Sequence, residues 1–313
     1  MADKEKNFVS AVIYVHNDEN EIENFLNMIR QTLEENFLSS EIICVNDAST
    51  DDSLTKIKAV SKSATSTNIS VINMSHYHGA ELSMNAGVDL AIGDFVFEFD
   101  LATSDFAPET IMQIYRRCLQ GYDIVSASPR GGREMSSKLF YSLFNKFNSQ
   151  SLNMDTERFR ILSRRAINRV KSMNEAIPYR KAVYAASGFK MDVVKYEPTE
   201  KIKIRHSSEE SEYRERLAID SLLLFTDVGY SLSMTLTKLM MILTASVGLY
   251  VSVIYFAGSP VAGWTTTMIF LAFSFFCLFG ILTITIKYLQ LILNLIFRRK
   301  RYNFESIEKL TAR

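Results

Sequence analysis

The chain has 313 residues, of which 47% are hydrophobic, with only 12 glycines and 5 prolines. This composition excludes a disordered or collagen-like chain, and the length suits about two domains. Lysine plus arginine and aspartate plus glutamate number 35 each, so the net charge selects no class of partner. We expect no nucleic acid among the partners, and a homo-oligomer stays open.

The first 130 residues alternate β-rich apolar runs with segments of helical spacing. The pattern predicts strands over residues 9–15, 40–45, 69–74, 95–99 and 122–128, and helices over residues 21–33, 53–63 and 80–91. This alternation is typical of an α/β fold, a mostly parallel sheet with helices on both faces. Ligands bind such sheets at the carboxyl ends of the strands. The polar loops after the first, second and fourth strands are therefore the candidate site.

The loop after the second strand, VNDASTDD, is rich in polar and acidic side chains. Asp47 stands at the end of the strand, where a carboxylate can accept hydrogen bonds from a base or a ribose. Ser49, Thr50 and Asp51 supply capping chemistry for the next helix. A plain turn and helix cap is the alternative interpretation of this loop.

Three segments together resemble the motifs of glycosyltransferase family 2, which are inverting enzymes with the GT-A fold. VNDASTDDS resembles V-D-D-x-S-x-D, and VIYVHNDENEI resembles V-I-P-x-Y-N-E-x-x-x-I, with Tyr14 and His16 as departures. Residues 78–94 match G-x-x-x-A-x-N-x-G-x-x-x-A-x-G-D. The resemblance implies a Rossmann-like sheet and a nucleotide-sugar donor held by Val15, Asn17, Glu19, Asp47, Ser49, Gly79, Asn85 and Asp100.

Later segments resemble the polyprenyl-phosphate branch of that family. FRILSRR, residues 159–165, is similar to F-R-L-x-x-R, and Ser211-Glu212-Tyr213 stands where the branch has G-E-S-K-Y. The resemblance implies transfer of the sugar to an undecaprenyl-type lipid phosphate. Guanidinium groups match phosphate oxygens bidentately. The predicted residues for the acceptor phosphate are Arg130, Arg133, Arg160 and Arg164.

The fourth strand departs from the family at its end. Members usually carry D-x-D there to hold Mg²⁺ or Mn²⁺, but this chain has Asp100-Leu101-Ala102. A cation on a diphosphate needs only one or two protein carboxylates. We therefore expect Asp100 to bind the metal, with Glu98 or Asp105 as the candidates for a second carboxylate. The predicted catalytic residues are Asp100, Asp105, Arg130 and Arg133.

A long apolar stretch follows the α/β region, because no charged residue lies between Lys238 and Lys287. About 20 apolar residues suffice to cross a bilayer as a helix. We predict a two-helix transmembrane hairpin over residues 235–297, with spans at about 236–257 and 264–287 and an extension to 297 left open. A pair of buried core helices is the alternative.

Basic residues flank both predicted spans on one side, which the positive-inside rule assigns to the cytosol. The prediction is a multi-pass membrane protein with a cytosolic GT-A domain over residues 1–230, whose residues 213–230 lie at the membrane surface. The same prediction makes residues 298–313 a cytosolic basic tail and places both termini in the cytosol.

Two other functions stay open at this point. A transferase that extends a glycan or glycolipid would need a carboxylate base for the acceptor hydroxyl, and Asp105 is its candidate. A membrane scaffold with a decayed transferase domain would explain the incomplete D-x-D motif.

Overall fold

The computed structural model describes residues 4–130, 157–172, 180–186, 188–199, 264–297 and 302–311, with isolated helical positions between 232 and 246. The strands in the described residues are β1 Val9–Val15, β2 Ser40–Asn46, β3 Thr67–Met74, β4 Phe95–Phe99, β5 Ile124–Pro129, β6 Phe159–Ser163, β7 Met191–Tyr196 and β8 Phe304–Lys309. The helices are α1 Ile22–Asn36, α2 Ser53–Ser61, α3 Ala80–Leu90, α4 Glu109–Leu119, α5 Arg164–Ser172, α6 Arg180–Ala186 and α7 Trp264–Phe297.

All these strands join one sheet in the order β7-β5-β6-β4-β1-β2-β3-β8. Strands β1 to β4 are parallel to one another, and β7 is parallel to β5. Strand β6 is antiparallel to both β4 and β5, so β5 and β7 run in the same direction as β4. The mostly parallel, Rossmann-like sheet that the sequence predicts is thereby confirmed.

Helices cover both faces of the sheet because buried side chains alternate along the central strands. From β1, Val9, Ala11 and Ile13 enter one core with α1, α2 and α4. Val12 and Tyr14 enter the other core with α3, α5 and α6. Every residue of β1 is buried, as expected for a central strand covered on both sides.

Helix α3 lies unusually close to the sheet at Gly87. A Cβ atom at Gly87 would lie 2.3 Å from Val12 Cγ1 and 2.7 Å from Val45 Cγ2. Only glycine lets the helix approach β1 and β2 to this distance. Close packing of α3 on the sheet thus gives a physical reason for this glycine of the family motif.

The C-terminal residues form a strand that the sequence does not predict. Within the predicted basic tail 298–313, residues Phe304–Lys309 form β8, which pairs antiparallel with β3 at the edge of the sheet. The apolar residues of this segment, Phe304 and Ile307, are three positions apart, so FESIEK lacks the period of two that marks a strand.

The described residues include the second span of the predicted hairpin but little of the first. The first span, 236–257, is represented only by isolated helical positions, and the segment 213–230 is not described. The second span corresponds to α7, a continuous helix of 34 residues that extends to Phe297. In the part of the chain that the structure describes, no helix is both long and apolar enough to cross a membrane.

Candidate active site

The candidate site lies at the carboxyl edge of the parallel strands. Strands β1, β2 and β4 end at Val15, Asn46 and Phe99, and the loops that follow carry the polar motif residues. The register places these ends side by side, because Val15 pairs with Asn46 and Ile13 pairs with Phe99. The tertiary structure therefore brings the three predicted loops together.

Asp47 is fully buried at the centre of this edge. Its Oδ1 accepts a hydrogen bond from the backbone N–H of His78 at 2.9 Å, and its Oδ2 accepts from Gly79 N–H at 2.8 Å. The hydroxyl of Tyr14 donates to Oδ2 at 3.0 Å. Asp47 thus connects β1 and β2 to the loop that precedes α3. Its contact with a nucleotide stays a prediction.

The loops after β1 and β2 are bonded to each other. Asn17, at a φ of 54°, accepts the backbone N–H of Thr50 on Oδ1 at 2.8 Å and donates its own N–H to Ser49 Oγ at 3.1 Å. Glu19 accepts the N–H of Asp52 on Oε2 at 3.2 Å. The residues of these two loops that are predicted to bind the nucleotide-sugar donor are thus linked to one another by hydrogen bonds.

The other residues that are predicted to bind the nucleotide-sugar donor lie next to these two loops. Val15 is buried, and its carbonyl accepts the N–H of Asp47 at 2.9 Å. Gly79 precedes α3 at a φ of 81°, a conformation that favours glycine. Asn85 lies half-buried on α3. All three residues therefore lie near the carboxyl ends of the strands or on helix α3.

Asp100 belongs to a buried cluster of charges just beyond the end of β4. Its Oδ2 accepts a hydrogen bond from Arg160 Nη2 at 2.6 Å, and its Oδ1 accepts one from Arg180 Nη2. Arg180 also lies 3.0 Å from Glu81 Oε2 through Nε and 3.0 Å from Glu98 Oε2 through Nη1. Asp100 is 30% exposed, whereas the side chains of Arg180 and Glu98 are completely buried.

The cluster controls the ionisation of its members. Burial would raise the pKa of Asp100, but the charges of Arg180 and Arg160 lower it below its usual value. Burial likewise opposes the charge of Arg180, yet Asp100, Glu98 and Glu81 raise its pKa well above the usual value. Asp100 is therefore an ionised carboxylate that two guanidinium groups hold in one orientation.

The two candidates for a second metal carboxylate do not fit that role in this structure. Glu98 is fully buried, accepts the hydroxyl of Tyr184 on Oε1 at 2.7 Å and pairs with Arg180. Asp105 is also buried, with Oδ1 bonded to Tyr196 at 2.6 Å and Oδ2 to Arg158 at 2.8 Å. All three carboxylates have ion-pair or hydrogen-bond partners, but Glu98 and Asp105 are also buried, whereas Asp100 is partly exposed. For that reason we do not retain Glu98 and Asp105 as metal ligands, nor Asp105 as a base.

Two of the four predicted acceptor arginines are also corrected. Arg160 pairs across the sheet with Glu98 and is buried against Asp100, so it has no free face for a phosphate. Arg164 donates to the carbonyls of Ala91 and Gly93, before β4 begins. It lies beside Asp94, at the opposite ends of the strands. That position is six residues before Asp100, or roughly 20 Å at about 3.3 Å per strand residue.

Arg130 directly follows strand β5, and its contact with an acceptor phosphate stays a prediction. It follows β5, which runs in the same direction as β4, so it lies at the same edge as Asp100. Its side chain is 62% exposed, and Nη1 lies 3.2 Å from Glu197 Oε1. An exposed pair of this kind is weak and leaves the guanidinium able to change partner. Arg133 lies outside the described residues.

Among the described residues of the charge cluster, Asp100 is the candidate ligand for a divalent cation. No group of three or more His, Cys, Asp or Glu side chains among the described residues is arranged to hold a metal. Asp100 is the one partly exposed carboxylate of the described charge cluster. One such carboxylate is sufficient where phosphate oxygens and water complete the coordination.

The sequence interpretation missed Arg180, Glu81 and Tyr184. Glu81 lies in the first turn of α3, inside a recognised motif but at one of its unspecified positions. Arg180 and Tyr184 come from the short helix α6, which is 80 residues or more along the chain from Asp100. No local pattern marks such a contact, because the fold alone brings these residues together.

Sequence comparison places this site in a known family. The model of Glycosyl transferase family 2 matches residues 10–175. An uncharacterized glycosyltransferase of Synechocystis is 28% identical over 195 residues, which are 60% of this chain and 60% of the relative. A prophage bactoprenol glucosyl transferase homolog of Escherichia coli is 28% identical over 201 residues, 62% of this chain and 64% of the relative. The chain thus spans less than two thirds of the length of these relatives.

Solved structures share the fold. Glucosyl-3-phosphoglycerate synthase of Mycobacterium tuberculosis, in complex with Mn²⁺, UDP-glucose and phosphoglyceric acid, has a TM-score of 0.52 at 15% identity. That match covers 69% of this chain and 79% of the synthase. A mannosyltransferase of Pyrobaculum calidifontis, in complex with GDP-Man and Mn²⁺, has a TM-score of 0.51 at 13% identity, covering 70% of this chain and 64% of its own. With a family model that matches more than half of its residues, the chain belongs to glycosyl transferase family 2.

Proposed function

We propose that the protein transfers a sugar from a nucleotide-sugar donor to a polyprenyl phosphate, with inversion at the anomeric carbon. The observation that carries the proposal is the position of Asp100 and Arg130 at one edge of the sheet, beside the interlocked loops of Asn17 and Asp47. The names of the bactoprenol glucosyl transferases support the choice of a lipid phosphate.

The donor nucleotide would lie over the loops after β1 and β2. These loops are held in place by hydrogen bonds between them, so little order has to be gained on binding. Their partly exposed polar groups, at Asn17 and Ser49, can meet a base or a ribose. The diphosphate would then extend toward Asp100 at the neighbouring strand end.

The reaction would be a single in-line displacement. An oxygen of the lipid phosphate forms a bond to the anomeric carbon while the bond from that carbon to the nucleoside diphosphate breaks. Because a phosphate is already anionic near neutral pH, it needs little help from a base. Positioning and charge stabilisation remain as the main tasks, and Arg130 could hold the acceptor phosphate.

A divalent cation, Mg²⁺ or Mn²⁺, would neutralise charge on the leaving diphosphate. Asp100 is the residue of this chain that would hold it, since its carboxylate is ionised, oriented and partly exposed. Arg160 and Arg180 fix the carboxylate and add positive charge behind it. The proposed role of these two arginines is to orient the carboxylate, and their positive charge offsets part of its attraction for the cation.

A sugar hydroxyl as acceptor is the second candidate and is less well supported. It would require a free carboxylate base within reach of the hydroxyl. Asp105, the residue proposed for that role, is buried and bonded to Tyr196 and Arg158. The ionised and oriented carboxylate of Asp100 counts against a decayed, non-catalytic domain.

We further propose that the transferase works at the cytosolic face of a membrane. The uncharged sequence between Lys238 and Lys287 and the flanking basic residues support this arrangement. A reporter fused after Arg313 should then signal from the cytosol. Association of the proposed membrane segments into a homo-oligomer stays a prediction.

One experiment separates these functions. Purified full-length protein is incubated with radiolabelled nucleotide-sugars, polyprenyl phosphate and Mg²⁺ or Mn²⁺, and the lipid fraction is extracted. Label in a lipid product that mild acid releases as free sugar supports the proposal. Label that appears only with a glycan acceptor favours the second candidate, and no transfer to either acceptor favours the scaffold.

A further inference from the structure

The C-terminal residues 302–311 return to the α/β domain and form the outer edge of its sheet. Strand β8 pairs with β3 from Ser70, opposite Lys309, to Met74, opposite Phe304. At the end of the strand, the Ile69 N–H donates to Thr311 Oγ1 at 2.6 Å. Edge pairing alone would protect β3 from unwanted strand partners. Two sets of side-chain contacts, however, lead from this segment into the candidate site.

The first path consists of side-chain amides. Asn73 Nδ2 donates to Ser306 Oγ at 3.0 Å and to Glu308 Oε1 at 2.9 Å, both on β8. Asn73 Oδ1 accepts from Asn46 Nδ2 at 3.0 Å. Asn46 Oδ1 then accepts the backbone N–H of Ser49 at 3.2 Å. The path therefore ends on the loop after β2.

The second path passes through His78. The backbone N–H of Asn303 donates to His78 Nε2 at 3.2 Å, and the Asn303 carbonyl accepts from Ser75 N–H at 3.1 Å. His78 Nε2 accepts this bond only in the neutral tautomer that carries its proton on Nδ1. The backbone N–H of His78 donates to Asp47 Oδ1 at 2.9 Å. This path ends on the buried carboxylate at the centre of the site.

We propose that residues 302–311 are a positioning element for the donor nucleotide. The inference rests on the proposed function, which places the nucleotide over the loops of Asp47 and Ser49. Both paths constrain those loops from outside the site. Loops ordered before binding lose less entropy when the nucleotide arrives, so the tail raises donor affinity without touching the donor.

A purely structural strand would behave differently from a positioning element. Loss of edge contacts would lower the stability or the amount of folded protein and leave the donor KM of the folded fraction unchanged. Loss of positioning raises the donor KM and weakens nucleotide binding, while kcat and the acceptor KM stay near the wild-type values. The two roles therefore differ in which kinetic constant changes.

The test uses full-length protein with substitutions that each interrupt one of the two hydrogen-bond paths. His78→Phe removes the acceptor for the Asn303 N–H, and His78→Gln keeps an acceptor near the position of Nε2. Asn73→Ala breaks the amide path. Lys309→Gln is the matched control, because it changes an exposed residue of β8. Binding of UDP and of GDP is measured by calorimetry, and the donor KM and kcat by transfer assays.

His78→Phe and Asn73→Ala should each weaken nucleotide binding about three- to tenfold, the effect of losing a hydrogen bond. His78→Gln should restore most of that affinity, and Lys309→Gln should match the wild type. Equal affinity in all the variants, or a fall in folded protein alone, would overturn the inference.

The outcomes also separate this inference from the proposed function. If the wild type binds UDP or GDP but does not glycosylate polyprenyl phosphate, only the proposed acceptor is wrong, and the comparison of variants still decides. If the wild type binds no nucleoside diphosphate, both proposals are wrong.

Discussion

Arg180, a residue with no exposed surface, donates a hydrogen bond to the partly exposed carboxylate of Asp100. The same guanidinium lies 3.0 Å from both Glu81 and Glu98, although its Nη1 is not aligned for a hydrogen bond with Glu98. One buried guanidinium thus forms ion pairs with three carboxylates. The ionised state of Asp100, on which the proposed function depends, follows from this arrangement.

Replacing Arg180 should be severely destabilising. Arg180→Met leaves Glu98 and Glu81 buried without their main cation, and breaking a buried pair costs roughly 3–5 kcal/mol. Thermal or denaturant unfolding of the purified protein measures the loss. The double variant Arg180→Met with Glu98→Gln should recover part of it, since one uncompensated charge is removed. Additive losses in the double variant would contradict this account.

Asp100→Asn should abolish most of the activity without unfolding the protein. The amide keeps the size of the side chain but removes the charge that would hold a divalent cation. We expect a decrease in kcat on the order of 10²–10³, as for the loss of other electrostatic groups at reacting centres. Glu109→Gln, an exposed change in the first turn of α4, is the control. Chelator-resistant wild-type activity would show that Asp100 has another role.

The stability that Asp100 contributes should depend on pH. Its pKa is lowered in the folded protein, where the charges of the two arginines outweigh the effect of burial. The contribution is therefore fully present above the usual pKa of an aspartate and is lost as the pH falls through the lowered value. The stability difference between wild type and Asp100→Asn, measured by unfolding, should shrink over this acidic range. A difference that is constant with pH would argue against the ion pairs.

Arg130→Ala should impair use of the acceptor and spare the donor. Losing a charge-assisted contact to phosphate costs about 1.5–3 kcal/mol, which is roughly a tenfold to hundredfold rise in the KM for polyprenyl phosphate. Glu197→Gln is the matched control, because it removes the present partner of Arg130 but keeps the guanidinium. Loss of nucleotide affinity in Arg130→Ala would instead assign the arginine to the donor diphosphate.

Gly87→Ala should destabilise the α/β domain although alanine favours helices. The added methyl would lie within 2.3 Å of Val12 Cγ1, so α3 would have to move away from the sheet. Such overpacking costs typically about 1–3 kcal/mol. Gly280→Ala is the control, since nothing lies within 4 Å of its Cβ position. A Tm of Gly87→Ala at or above that of the wild type would contradict the close approach.

Much of the candidate site was predictable, because its donor loops are continuous stretches of sequence. Asn17, Asp47 and Asp100 follow strands that hydrophobic runs mark, and parallel strands bring their carboxyl ends to one edge. The predictions failed where a residue was placed by its motif alone. Arg164 lies in such a motif, but β6 runs antiparallel to β4 and carries it to the opposite edge.

By itself, the sequence determined the mostly parallel sheet, the order of its first four strands along the chain and the loops that end them. Local hydrophobic period and turn chemistry are sufficient for these features. Only the tertiary structure decided the partners of Asp100, the burial of Glu98 and the addition of β8 to the sheet. Those contacts join residues 60 to more than 200 positions apart. A side chain's burial and its ion-pair partners depend on packing between such distant segments, which no local pattern records.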